Sequence, residues 1–304
     1  MQNMKRLFAL LSVLILLLPA GQASAKVNVL ACEPEWAALA RAIGQQYVEV
    51  TSATTAFQDP HHIEARPSLI ARARRAELLF CTGADLEVGW LPLLLRQSGN
   101  ANIQPGKPGY LLATGQVELI EKLDQADRSM GDIHTAGNPH VHLDPYRLLE
   151  VARELMARLK MIDAPNAQAY QTQFETFESR WQGAIASWEE RARPLEGTKV
   201  VVQHRSWSYL LAWLGMKAVV DLEPKPGLPP TSGHLAGLLD IIARDKPAMI
   251  LIAAYQNDRG AQWLTRRTGI TVLKLPYTVG GNDQVKDLFS LYDNTLDLLL
   301  TELD

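Results

Sequence analysis

The sequence predicts an α/β protein of two similar lobes with parallel sheets, joined by one long helix. Three observations predict it. Strand-like and helix-like patterns alternate along the chain, as in parallel sheets covered by helices. The same order of elements occurs twice, at an offset of about 170 residues. Between the two copies lies a segment whose aromatic residues keep one helical face.

The chain opens with a basic start at Lys5 and Arg6, an apolar run from Leu7 to Leu18, and Ala23-Ser24-Ala25. This is the pattern of an export signal over residues 1–25, cleaved before Lys26. The run is shorter than the roughly 20 residues of a spanning helix. Val29-Leu30-Ala31-Cys32 resembles a lipidation box, but Gln22, Lys26 and Asn28 interrupt the apolar run that should lead into it. The expected location is therefore the periplasm.

The first copy, 26–162, has strand patterns at 27–31, 47–52 and 77–80, with helix patterns at 35–43 and 67–75. The second, 195–304, has strand patterns at 199–203, 217–222, 248–253 and 270–275, with helix patterns at 206–213 and 234–244. The connecting helix is expected over 163–194, with Asp163 as cap, Pro165 in its first turn and Pro194 as its stop. Tyr170, Phe174, Phe177, Trp181 and Trp188 fall on one face of it and read as packing. A rod of roughly 40 Å backs both lobes and predicts small relative motion between them.

The whole chain carries a net charge of −3, and removing Lys5 and Arg6 makes it more acidic. No basic footprint for nucleic acid exists. No Gly-x-x-x-x-Gly-Lys-Ser/Thr loop is present to bind a nucleotide. Cys32 and Cys81 end neighbouring strand patterns, so after export a disulfide between them is possible. A monomer is expected.

The chemistry lies in the histidines. His61 follows Asp59-Pro60 in the loop after the second strand, His140 stands in Asn138-Pro139-His140-Val141-His142-Leu143-Asp144-Pro145, and His204 ends the strand at 199–203. Ligands of open α/β sheets bind outside the carboxyl ends of the strands. In two facing lobes that edge is the cleft, where the three can meet. Three imidazoles and one carboxylate make a closed site of the kind Zn²⁺ prefers. Asp283, after the Gly280-Gly281 turn, is the expected fourth ligand, with Asp287 and Glu223 as second and third choices. Read as an extended run, Pro139–Leu143 puts His142 on the face of His140, as a ligand or an orienting group. His62 reads as a solvated neighbour, His234 as a helix-start residue, and His134 as a lone imidazole in the polar stretch 124–137.

Together Gln58-Asp59-Pro60-His61-His62-Ile63-Glu64, the Asn138–Pro145 motif and Thr278-Val279-Gly280-Gly281 before Lys286-Asp287-Leu288-Phe289 resemble the zinc-specific solute-binding proteins of bacterial ABC importers. These are the ZnuA-like proteins, and the chain is most similar to the AztC-like branch. The resemblance covers essentially all of the mature chain. It implies two (β/α)4 lobes joined by a rigid helix, metal in the cleft, and His61, His140, His204 and Asp283 as ligands. It further implies a membrane permease and its ATPase as partners, with a periplasmic metallochaperone as a further candidate. The long His-rich loop of the best-known members is absent; its counterpart is 124–137, with only His134. His134, His142 and Asp287 are the accessory candidates.

Two other classes compete. His140-x-His142-x-Asp144 opens the signature of metallo-β-lactamase-type hydrolases, but Pro145 stands where its last histidine belongs. A surface interaction protein with structural zinc would need an anchor, repeat array or charged patch that the sequence lacks. Within the carrier reading, manganese or iron is the alternative cargo; harder ions favour more oxygen donors.

Overall fold

The computed structural model describes residues 25–123, 131, 132 and 134–303. Residues 1–24, which hold most of the expected export signal, lie outside them, as do most of 124–133. The first lobe contains, in chain order, β1 (Val27–Ala31), α1 (Pro34–Gly44), β2 (Val48–Ser52), α2 (Pro67–Arg75), β3 (Leu78–Cys81), α3 (Leu91–Ser98), β4 (Tyr110–Leu112) and α4 (Pro145–Ile162). The connecting helix is α5 (Ala167–Ala192). The second lobe contains β5 (Lys199–Val202), α6 (Ser208–Leu214), β6 (Lys217–Asp221), α7 (Ser232–Asp245), β7 (Met249–Ala253), α8 (Arg259–Thr268), β8 (Thr271–Leu275) and α9 (Leu288–Leu303).

Both sheets are parallel and share one topology, β2-β1-β3-β4 and β6-β5-β7-β8. The repeated pattern in the sequence is thus a repeated fold. Central β3 and β7 are buried along their whole length, as parallel strands covered on both faces must be. Cys32 and Cys81 form a disulfide, their Cα atoms 4.7 Å apart, across the ends of adjacent β1 and β3.

Helix α5 holds the lobes together through the expected stripe. Tyr170, Phe174, Phe177, Trp181 and Trp188 are all buried. From its start to its middle it meets the first lobe, with Tyr170 edge-on to Tyr47 and the Trp181 indole donating to Pro145 O at 2.9 Å. Its second half meets α9, where Trp188 stacks on Tyr292 and its indole donates to Asp293 at 2.8 Å. The start of this helix differs from expectation. A 3-10 turn over Ala164–Asn166 precedes it, containing Pro165. Asp163 instead accepts from Asn166 and from the Tyr170 hydroxyl, both at 2.8 Å.

The stretch before α4 also differs. Val141–Leu143 is a 3-10 turn, not an extended run. The Asp144 carboxylate caps α4 by accepting from Tyr146 N and Arg147 N, and Pro145 takes the first helical position. Asn138 Oδ1 accepts from His140 N at 3.0 Å on the other side. These local bonds wind the backbone between them, so His140 and His142 do not share a face.

Trp181 is fully buried and rings with Phe177, Trp188, Phe289 and Tyr292. Trp181→Ala should cost about 3–5 kcal/mol, read as a lowered midpoint in urea. A loss within experimental error would show that the stripe is not what joins the lobes.

Candidate metal centre

Three imidazoles converge between the sheets. His61 comes from the loop after β2, His140 from the turn before α4, and His204 stands two residues past the end of β5. Their potential ligand atoms all lie within 4.8 Å of one another. The rings stand almost at right angles, with centroids 5.8–6.2 Å apart and interplanar angles of 73–77°. Three rings in this arrangement face one point, as the sequence predicted.

Each ring is held by its outer nitrogen. Asp59 Oδ1 accepts from His61 Nδ1 at 2.7 Å and from His61 N at 3.0 Å. Glu223 Oε2 accepts from His204 Nδ1 at 2.7 Å and from Gly227 N at 2.8 Å. An ionised carboxylate only accepts, so both rings carry hydrogen on Nδ1 and turn Nε2 inward. His140 Nδ1 meets the Tyr277 hydroxyl at 2.6 Å. The backbone is held as well: the Trp90 indole donates to Pro60 O at 2.9 Å, and the Tyr209 hydroxyl donates to Asn138 O at 2.8 Å.

Burial sets the charge states. His140 is held well below its ordinary pKa, first by burial and then by the neighbouring His204 and His61. Asp59 is lowered: burial works against its charge, but the hydrogen bond and charge of His61 outweigh it. His134 is pushed down to about 3, first by burial and then by His61. Burial thus favours the neutral form of His140 and His134, the form in which an imidazole can ligate a metal.

The remaining expected residues fall elsewhere. Asp283 is exposed and stands outside the cluster of facing ligand atoms. Gly280 has a φ of +86°, and Asn282 Oδ1 accepts from Gln284 N and Val285 N. That turn aims Asp283 at solvent, while Tyr277 reaches the site from the same segment. Asp287 accepts from Ser290 N and Oγ before α9. Glu223, the third choice as a ligand, orients His204 instead. His142 is fully buried, with Nε2 3.0 Å from Tyr277 O and Nδ1 3.4 Å from Glu35. With Asp144 occupied as a cap, the hydrolase triplet does not assemble. His62 is exposed beside Asp132, and His234 lies in the first turn of α7, its N–H donating to Thr231 Oγ1. His134, expected as a lone loop residue, reaches the cluster: its Nε2 lies 3.2 Å from His61 Nε2.

Sequence reasoning missed the outer partners Asp59 and Tyr277. Asp59 carried a signal, since an acid two residues before a histidine can fold back on it. Tyr277 carried none, being distant in sequence from His140. Also missed was a buried acid group under the cleft, formed by Glu33, Glu35 and Glu87. The Trp36 indole donates to Thr82 Oγ1, which donates to Glu33. Thr278 Oγ1 donates to Glu35 at 2.5 Å, crossing from the second lobe to the first.

The chain matches the family described as ZnuA, zinc-uptake complex component A periplasmic, over residues 29–301. It belongs to that family. It is 21% identical to the metal ABC transporter substrate-binding lipoprotein ScbA of Streptococcus cristatus, over 84% of this chain and 81% of the relative. It is 21% identical to the zinc-binding lipoprotein AdcA of Streptococcus pneumoniae, over 70% of this chain and 42% of that longer protein. It is 20% identical to the manganese-type PsaA of the same species, over 88% of this chain and 85% of that one. The fold matches a crystal structure of ZnuA, with a TM-score of 0.76 at 19% identity over 92% of this chain and all of that one. It also matches the Cd-bound periplasmic metal binding protein of Candidatus Liberibacter asiaticus, with a TM-score of 0.74 at 17% identity and the same coverage. Membership in the family makes the chain the periplasmic metal-binding component of an uptake complex.

Two predictions follow from these contacts. Glu223→Gln should leave the fold intact and weaken metal binding about 10–100-fold in a competition titration; unchanged affinity would remove its orienting role. Burial also pushes the Glu87 carboxyl up to about 7, against the N–H bonds of Gly83 and Thr82 that lower it. A raised carboxyl binds its proton more tightly in the folded state. Its stabilisation is full below the ordinary carboxylate range and is lost as pH rises to about 7. Glu87→Gln removes this titration, so its Tm relative to the native protein should rise between about pH 5 and about pH 8. A pH-independent difference would contradict the burial effect.

Proposed function

We propose that this protein captures Zn²⁺ in the periplasm and hands it to an ABC-type permease, whose ATPase subunit supplies the energy. The observation that carries the choice of metal is the donor set. The facing ligand atoms are imidazole nitrogens of His61, His140 and His204, and the nearby carboxylates of Asp59 and Glu223 are engaged with the outer nitrogens. A nitrogen-rich tetrahedral site favours Zn²⁺, whereas Mn²⁺ favours carboxylate and other oxygen donors. Cu²⁺ and Ni²⁺ would also bind such a site, so supply in the periplasm completes the selection.

Capture needs no catalysis. The site opens beside a cavity of about 70 Å³ whose walls include Glu121, Asp132, His134 and His204. Its two carboxylates outnumber the one guanidinium in the same walls, that of Arg205, a balance that favours cations. The aromatic packing of α5 supports a carrier that stays folded without metal, unlike a protein built around structural zinc. A monomer loaded directly or by a metallochaperone fits this picture. The names of relatives include both zinc and manganese, so the cargo must be tested on this chain.

The test is to purify the mature protein without added metal, measure bound metals by elemental analysis, and titrate zinc and manganese in competition with a chelator. Zinc should be retained and bound more tightly than manganese, and His204→Ala should lose at least about tenfold in affinity while keeping its fold. Preferential retention of manganese, or unchanged affinity in His204→Ala, would overturn the reading.

A further inference from the structure

Where α1, α5 and the entry to α9 meet lies a cavity of about 390 Å³ that shares no residue with the metal centre. Its walls come from three parts of the molecule. The first lobe contributes Arg41 from α1, the connecting helix contributes Phe177 and Arg180, and the second lobe contributes Lys286, Asp287 and Phe289. A space of this size suits a small organic molecule.

The charge of these walls runs against that of the chain. The whole sequence has a net charge of −3, yet three cations and one carboxylate line this cavity. The carboxylate is already engaged: Asp287 Oδ1 accepts from Ser290 N at 2.8 Å and from Ser290 Oγ at 2.7 Å. The cations are not neutralised. Among the described residues, Arg41, Arg180 and Lys286 enter no ion pair. Arg41 Nη2 donates to Val50 O at 3.0 Å, which uses one of its N–H groups. The Arg180 guanidinium lies 4.8 Å from the centroid of the Phe289 ring; that contact engages its flat face and leaves the N–H groups at its edge. Like charges around one cavity repel, and an anion among them turns that repulsion into attraction. The wall at the end of α1 is tightly built as well. Gln45, which also lines the cavity, has a φ of +44°, and its N–H donates to Arg41 O. Left-handed backbone at a residue other than glycine is costly and clusters at functional sites.

We propose that this cavity binds an organic dianion, a dicarboxylate with an apolar body. Three positive charges less one negative leave two, which match two carboxylates. Arg41 and Arg180 carry the planar fork that a carboxylate can take bidentately, and Lys286 adds a point charge. Phe177 and Phe289 supply apolar wall for the body between the carboxylates. A ligand here touches both lobes and the helix that joins them. The site goes beyond the metal-carrier reading and does not depend on which ion is carried.

The test is isothermal titration of isophthalate into the zinc-free mature protein at low salt, beside isophthalamide, which has the same shape without the charge. Isophthalate should bind in a single site and isophthalamide should not bind. Arg180→Gln and Lys286→Gln should each weaken isophthalate at least about tenfold, with circular dichroism and zinc affinity unchanged. Lys286→Gln removes no ring contact, so it keeps the test sharp if Arg180→Gln disturbs the packing on Phe289. No binding of isophthalate, equal binding of isophthalamide, or native affinity in Lys286→Gln would overturn the site. Inorganic phosphate bound as tightly as isophthalate would overturn the apolar body as part of the ligand.

Discussion

The aromatic face of α5 is the constraint on which the rest depends. One stripe of buried rings packs against the first lobe with its early residues and against α9 with its later ones. The two sheets therefore face each other across a frame set by a covalently continuous helix of 26 residues. Imidazoles carried by different lobes are thereby brought within 4.8 Å of one another. Without that strut, His204 would have to find His61 and His140 anew with each ion, and ordering the lobes would consume binding energy.

Within this frame the site is specified from outside inward. Carboxylates and a phenol take the outer nitrogens of His61, His204 and His140, and the inner nitrogens are what remains. The same acidic residues could have served an oxygen-preferring metal had they reached the centre. Their displacement by one side-chain length is a difference of a few ångströms, yet it changes the donor set from mixed to nitrogen-rich. Tyr277 adds a second link: it comes from the second lobe and contacts His140 of the first, while its neighbour Thr278 donates to Glu35.

The fold was legible because its signals are periodic. Alternating strand and helix patterns, the repeat at constant offset and the five-ring stripe each integrate over many residues. His61, His140 and His204 were legible because strand ends in parallel sheets converge. What failed was decided by single local bonds. Pro139–Leu143 reads as extended, but the Asp144 cap and the Asn138 side chain wind it into a 3-10 turn that sends His142 inward. Asp283 sits at the right end of β8, but the Asn282 turn faces it outward. His134 lies in a stretch without periodicity, and its place is fixed by a carbonyl some fifty residues away. No pattern in the sequence encodes such a pairing.

The two sheets have the same strand order, so every strand end has a counterpart across the cleft. Two residues past β5 stands His204; two residues past its counterpart β1 stands Glu33, a buried acid pushed well up in pKa by burial and by Glu87 and Glu35. Two residues past β8 stands Tyr277; past β4, in the same place, stands Thr114. Backbone symmetry has not been followed by chemical symmetry. A twofold scaffold dressed alike on both sides would supply donors in matched pairs. Here the duplicated frame carries unlike side chains at equivalent addresses, so one half contributes an inner donor where the other keeps a buried acid in reserve beneath the floor.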